Sequence, residues 1–158
     1  MTMDRHRELQ SALGIASLHR ARLQAALAYL GHRLPHNGAD VLALQYDDIA
    51  SVELLLSRFA KLQDILGSRL FRLALELTAE PLAPNATFLD TLQRLEKIGA
   101  IPSAAGWRVL REIRNELAHD YPDDAEATAA SLAEVVAAIP DLLAVDDALR
   151  AHIQRVTQ

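Results

Sequence analysis

Asp47-Asp48-Ile49-Ala50-Ser51-Val52-Glu53-Leu54-Leu55-Leu56-Ser57-Arg58-Phe59-Ala60-Lys61-Leu62-Gln63-Asp64-Ile65-Leu66 carries the pattern that decides the fold. Val52, Leu55, Leu56, Phe59, Leu62, Ile65 and Leu66 recur at helical spacing, and Leu44 and Ile49 extend the same apolar stripe toward the N-terminus. Asp40 is placed to cap this helix. Gly67 breaks or kinks it, and Leu70, Phe71, Leu73, Ala74 and Leu77 continue a shorter helix to about Thr78.

The same period extends outward in both directions. Leu9, Leu13, Ala16, Leu23, Leu27 and Leu30 predict a first helix from about Asp4 to Leu30, ended by Gly31 and the turn Leu34-Pro35-His36-Asn37-Gly38. Glu80 to Ala86 reads as a loop. Asn85 or Thr87 then caps a short helix bearing Phe88, Leu92, Leu95 and Ile98. Ile101-Pro102 turns the chain, and Ser103 opens a helix with Trp107, Leu110, Ile113 and Leu117 inward. A last helix starts near Asp123 with Leu132, Val135, Val136 and Ile139 buried, and Pro140 kinks or breaks it before Leu142 to Val156. The expectation is a single all-α domain over 1–158, an up-and-down helical bundle of about five or six helices. Leucine-rich helices of this length leave an apolar face that bundles commonly bury against a second copy, so a homodimer is expected.

Composition excludes several classes. Leu and Ala dominate, which favours helix over sheet. There is no cysteine, which rules out disulfides and thiolate metal sites and fits a cytoplasmic protein. The polar start, Met1 to Arg7, lacks the apolar core of a secretory signal, and no run of about 18 apolar residues predicts a membrane span. The net charge of −5 opposes non-specific coating of DNA. That charge is uneven: residues 120–158 hold eight acidic and two basic side chains, against 13 and 14 in residues 1–119. An acidic segment of this kind favours solubility or meets a basic partner.

One local cluster asks for a chemical explanation. Arg114-Asn115-Glu116-Leu117-Ala118-His119-Asp120-Tyr121 reads R-x4-H-x-Y at the end of an amphipathic helix, followed by Pro122. Proline biases its predecessor away from the α region, which places Tyr121 at or just past a helix C-terminus. His119 can exchange a proton with a 2′-hydroxyl or a leaving oxygen near neutral pH. Arg114 can hold a phosphate and stabilise transition-state charge. RNA supplies its own nucleophile, so neither metal nor cofactor is required. Asn115 could orient the phosphate or the histidine, and Tyr121 could bond a phosphate oxygen or be an exposed hydroxyl that another enzyme modifies.

Geometry adds a condition. On a regular helix Arg114, Leu117, Ala118 and Tyr121 share a face, while His119 stands about 140° round from Arg114. Either the last turn loosens before Pro122, or motifs from two copies line one cleft. Plainer readings stand beside the catalytic one. A histidine near a helix C-terminus complements the dipole, an arginine beside Glu112 and Glu116 pairs on the surface, and a tyrosine before proline packs. Arg108, Arg111 and Arg114, at i, i+3 and i+6, also describe a solvated basic stripe. His32 and His36 read as loop histidines, and Asp47-Asp48 and Asp146-Asp147 as solvated helix faces. Arg58 to Asp64 carries polar side chains that could face the motif, with core stripe plus surface as the default.

The R-x4-H-x-Y motif on an all-α chain of this length resembles the HEPN superfamily, and most closely the HepT-type toxins of HEPN–MNT toxin–antitoxin systems. Arg58 to Asp64 and Gly67 to Arg72 resemble the group more loosely. The resemblance implies a small homodimeric ribonuclease in which the motif residues of both subunits form one cleft, with Arg114 and His119 catalytic and Asn115 the polar residue that follows the arginine. It also implies that Tyr121 is adenylylated by a separate MNT nucleotidyltransferase antitoxin, which silences the toxin. The alternative is a non-catalytic HEPN-like binding module that partners a nucleotidyltransferase or binds nucleotide. A helical dimerisation domain with a chance motif is the third reading.

Overall fold

Three cross-chain contacts fix how the first two long helices run. In the computed structural model, which describes residues 3–78, 82–117 and 123–158, Arg33 meets Asp48, His19 meets Arg58 and Glu8 meets Arg72. The partner's number falls as the first residue's rises, so α1 (Met3–Leu30) and α3 (Tyr46–Ile65) are antiparallel. The same logic sets α7 (Ala125–Thr157) antiparallel to α1, through Arg20 to Asp146 and Leu13 to Arg150. Gln63 to Leu110 and Asp64 to Arg114 join α6 (Ala104–Glu116) to the end of α3. The outcome is an all-α helical bundle with no strand among the described residues.

The N-terminal half departs from expectation at one corner. Gly31, at φ +49°, ends α1 and leads into a short 3₁₀ turn, Gly31–Arg33. Asn37, not Asp40, is the next N-cap: its side chain accepts from the Asp40 backbone N–H, and Asp40 accepts from His36 in return. This starts only a one-turn helix, α2 (Gly38–Leu42), before the chain bends and α3 begins after Gln45. The long helix expected from Asp40 is therefore two pieces. Gly38 N–H donates to Glu126 Oε1 at 2.7 Å, which ties α2 to the start of α7. Because of the bend Ile49 stays exposed, contrary to expectation, and Leu44 is only half-buried.

Gly67 neither stops nor frees the chain. Residues Leu66–Leu70 form a π-helical turn that carries α3 into α4 (Phe71–Leu77). Trp107 of α6 explains the glycine, because a β-carbon at residue 67 would stand 3.0 Å from its Cζ2. The indole meets Phe71 edge-on, with ring centroids 4.6 Å apart.

The C-terminal half follows its local signals. Thr87 and Asp90 form a reciprocal capping box on α5 (Phe88–Lys97). Gly99, at φ +72°, ends that helix while Gly99 N–H and Ala100 N–H bond back to Glu96 and Leu95, a Schellman closure. Ser103 caps α6 and Asp124 caps α7. Phe88, expected inward, is exposed because it stands at the first position of α5, beyond the buried Leu92 and Leu95.

Pro140 does not break α7, which runs through it as one helix. Proline forfeits one backbone bond, but Ile139, Leu142, Val145, Leu149 and Ile153 are all buried, and each buried aliphatic side chain contributes about 1.5–3 kcal/mol. α7 is also long and apolar enough to cross a membrane by length and composition, although its sequence holds no unbroken apolar run of that length. In the bundle its apolar stripe lies against the other helices together with the buried polar residues Asp146 and His152.

Asp146 is the clearest correction to the charge reading. It is fully buried, not solvated. Arg20 Nη1 donates to one of its oxygens at 2.8 Å and Arg150 Nε to the other at 2.9 Å. Arg20 also reaches the exposed Asp147 at 2.6 Å. The carboxylate expected to be solvated instead clamps α1 to α7.

Candidate functional site

Arg114 stands in the last turn of α6, on the side turned to α3. Leu110 and Trp107 are buried one and two turns earlier, which holds the helix in the bundle and leaves residue 114 half-exposed at the seam. Its guanidinium forks onto Asp64, with Nε to Oδ1 at 3.2 Å and Nη2 to Oδ2 at 3.0 Å. Neither Glu112 nor Glu116 takes that role. Asp64 belongs to the Arg58–Asp64 segment whose polar side chains could face the motif, and this one does. Beside it Gln63, although buried, donates to the Leu110 carbonyl at 2.6 Å and locks the register of α3 against α6.

The π-turn shapes what lies next to this pair. Gly67 and Ser68 join Gln63, Asp64, Trp107, Arg111, Arg114 and Asn115 around an open cleft of about 700 Å³. Ser68 Oγ bonds back to the Asp64 carbonyl at 2.6 Å, which fixes the backbone beneath the carboxylate. Arg111 lies over the Phe88 ring at 5.0 Å, and both also line a smaller cleft, about 370 Å³, bordered by Arg108 and Asn115. Asn115 is exposed and borders both clefts. The larger cleft thus offers the guanidinium groups of Arg111 and Arg114, the exposed Asn115 carboxamide and the Phe88 ring, with the Asp64 carboxylate among them. Such a set suits an anion bearing planar groups.

His119 and Tyr121, and the expectation that Tyr121 sits at or past the helix end, lie outside the described residues, as do Asp120 and Pro122. The structure therefore brings Arg114 and Asn115 to one cleft, and the sequence places His119 three residues after Glu116, the last residue of α6. No group of three or more His, Asp or Glu side chains able to hold a metal ion occurs among the described residues.

Two elements of the cleft have no local signal in the sequence. Arg111 reads as one residue of a basic stripe and Phe88 as a core residue, and nothing near either shows that α5 and α6 stack them. Gly67 signals a kink, but what requires the glycine, a tryptophan forty residues downstream, is a tertiary fact. No protein-family model, curated protein or solved structure matches this chain.

Proposed function

We propose that the chain is a ribonuclease toxin of the HEPN–MNT kind, a homodimer that cleaves RNA without metal and is neutralised by a nucleotidyltransferase antitoxin through adenylylation of Tyr121. The observation that carries this reading is the placement of Arg114. It borders an open cleft, paired with Asp64 through Nε and Nη2, and opens the sequence that runs to His119-x-Tyr121. The fork leaves Nη1 for a phosphate oxygen.

In the proposed reaction the 2′-hydroxyl attacks the adjacent phosphorus as its proton passes to a base. The bond to the 5′-oxygen breaks as that oxygen takes up a proton. The products are a 2′,3′-cyclic phosphate and a 5′-hydroxyl. His119 serves the proton transfers, Arg114 holds the charge that gathers on the phosphate, and Asn115 orients it. A homodimer would supply a second His119 to the same cleft. Phe88 and Leu89, 37% and 45% exposed at the start of α5 beside the cleft, are apolar surface that a second copy would cover.

The Asp64 fork also favours a second reading, a binding module in which Arg114 is held by its carboxylate and performs no chemistry. Purified protein, its intact mass checked for adenylate on Tyr121, separates the two when incubated with total RNA and tRNA in the presence of a chelator. Cutting by the wild type that disappears in His119→Ala supports the ribonuclease. A folded, unmodified dimer that cuts nothing overturns it in favour of the binding module.

A further inference from the structure

The crossing of α1 and α3 gathers positive charge around one histidine. Arg58 Nη1 lies 2.8 Å from His19 Nδ1. Arginine can only donate, so that nitrogen accepts and His19 is the neutral Nε2–H tautomer. Burial, and after it the positive charges of Arg58, Lys61 and Arg22, lower the pKa of His19 from the ordinary 6.5. The stem nitrogen of Arg58, Nε, is buried without a hydrogen-bond partner. Arg22, Arg58 and Lys61 take part in none of the ion pairs found among the described residues. From Gln10 to Ala39 the chain contains no Asp or Glu at all.

A cation hydrogen-bonded to an imidazole, with two more cations around it, is stable where an anion completes it. The arrangement differs from other arginines of the bundle. Arg20, Arg33, Arg72, Arg114 and Arg150 each rest on a carboxylate.

The position of the cluster says what kind of anion. Lys61 and Asp64 are one turn apart on the exposed side of α3, with Ser57 and Ser68 completing the stripe at i, i+4, i+7 and i+11. Arg58 flanks that stripe on the α1 side, and Gln63 marks the α6 side where Arg114 stands. Arg58 and Asp64 stand roughly 9 Å apart along the axis of α3 and about 120° apart around it, so a strand joining them runs obliquely over the exposed stripe, a path that an extended chain of two or three nucleotides covers. We infer that His19, Arg22, Arg58 and Lys61 form a phosphate-binding site for the backbone of a single-stranded RNA whose neighbouring nucleotide occupies the Arg114 cleft. The inference rests on the proposed reading for its ligand, and it adds a strand path across α3 that the motif alone does not supply.

The test uses the full chain with His119→Ala, so that RNA stays intact, and a fluorescein-labelled single-stranded RNA 12-mer followed by anisotropy across a salt series. Removing one cation that pairs with a phosphate should flatten the slope of log K against log salt by about 0.7. Arg22→Ala/Lys61→Ala, both exposed positions, should weaken binding at least tenfold and flatten the slope by about 1.4. Arg58→Gln should act in the same direction, and its circular dichroism melt shows whether it folds. Lys97→Ala/Arg155→Ala removes the same charge elsewhere and should leave affinity within twofold. Equal losses from both double variants, or none from the first, overturn the site. Cleavage of the same RNA by the protein with His119 intact is scored separately. Binding with the expected slopes but no cutting sustains the phosphate site as the ribonuclease reading fails. Cutting with unchanged slopes does the reverse.

Discussion

Arg114 and Asp64 face each other across the α3–α6 seam in a two-point fork, with contacts of 3.2 and 3.0 Å. Both side chains are partly exposed, so the pair contributes at most about 1 kcal/mol to stability. Its weight is electrostatic, because the carboxylate opposes any phosphate approaching the guanidinium. Asp64→Asn keeps the shape and removes the charge. In the His119→Ala background it should raise RNA affinity several-fold while the melting temperature moves little. A loss of affinity as large as that of Arg114→Ala would mean instead that Asp64 is needed to aim the arginine.

Gly67 and Trp107 make a steric prediction. Gly67→Ala puts a methyl group 3.0 Å from Trp107 Cζ2, inside normal contact, and the indole is hemmed in by Phe71. Overpacking of this kind costs about 1–3 kcal/mol. Denaturant unfolding should show that loss, and tryptophan fluorescence should shift as the single indole moves. Gly14→Ala is the control. No atom lies within 4 Å of its new β-carbon, and alanine is the better helix former, so the protein should become slightly more stable.

The local rules read most of the fold from sequence. Caps at Thr87 and Ser103 and the long first helix all rest on interactions within a few residues, and these lie where their residues predict. Errors concentrate where the deciding partner is remote. Asp146 looks like half of a solvated acidic pair until Arg20, 126 residues away, is set beside it. Asp40 looks like a cap, but Asn37 with the Glu126 contact at Gly38 starts the helix earlier and forces a bend. The candidate site divides in the same way. Arg114 and Asn115 are legible as a motif, whereas their cleft depends on α3 and α5 and on the pairing of Asp64 with Arg114 and of Phe88 with Arg111.

Asp146 should be among the most sensitive positions in the chain. Asp146→Ala leaves Arg20 with only the exposed Asp147 and Arg150 with only the Leu13 carbonyl at the α1–α7 interface, and both arginines retain some access to water. Breaking one side of a buried ion cluster costs about 3 kcal/mol or more, and partial hydration of the arginines holds this case near the lower end. Urea unfolding measures it. A double-mutant cycle with Arg20→Ala should return a large coupling, and additive losses would mean the clamp contributes nothing.

Acid should weaken the bundle through two histidines. His152 is buried on α7, with Nε2 3.1 Å from Thr78 Oγ1, and desolvation followed by the Arg155 charge lowers its pKa from 6.5. His19 shifts the same way, by desolvation and then Arg58. A histidine with a depressed folded pKa binds its proton more readily when unfolded. Stability is therefore full above about pH 7.5 and falls as pH drops through 6.5 toward the folded values. The melting temperature should decline between about pH 7.5 and 5.5, and His152→Asn should flatten part of that decline. An unchanged slope in the variant would assign the acid sensitivity elsewhere.

Pro140 gives the last test, because it separates what a residue does to its own helix from what the bundle imposes. Proline at this position lacks the N–H that would bond the Val136 carbonyl, and its ring presses on that carbonyl. The residue is itself exposed and fills no core space. Its neighbours Ile139 and Leu142 are buried, so the flanking segments are held in place by packing rather than by backbone continuity. Pro140→Ala restores the bond and a strong helix former, and should stabilise the protein by about 1–3 kcal/mol, with helical circular dichroism unchanged or slightly higher. If Pro140→Ala destabilises instead, the backbone geometry that proline fixes in α7 is part of how Leu142 to Ile153 reach the core. Replacing the proline then costs more packing than the recovered hydrogen bond returns.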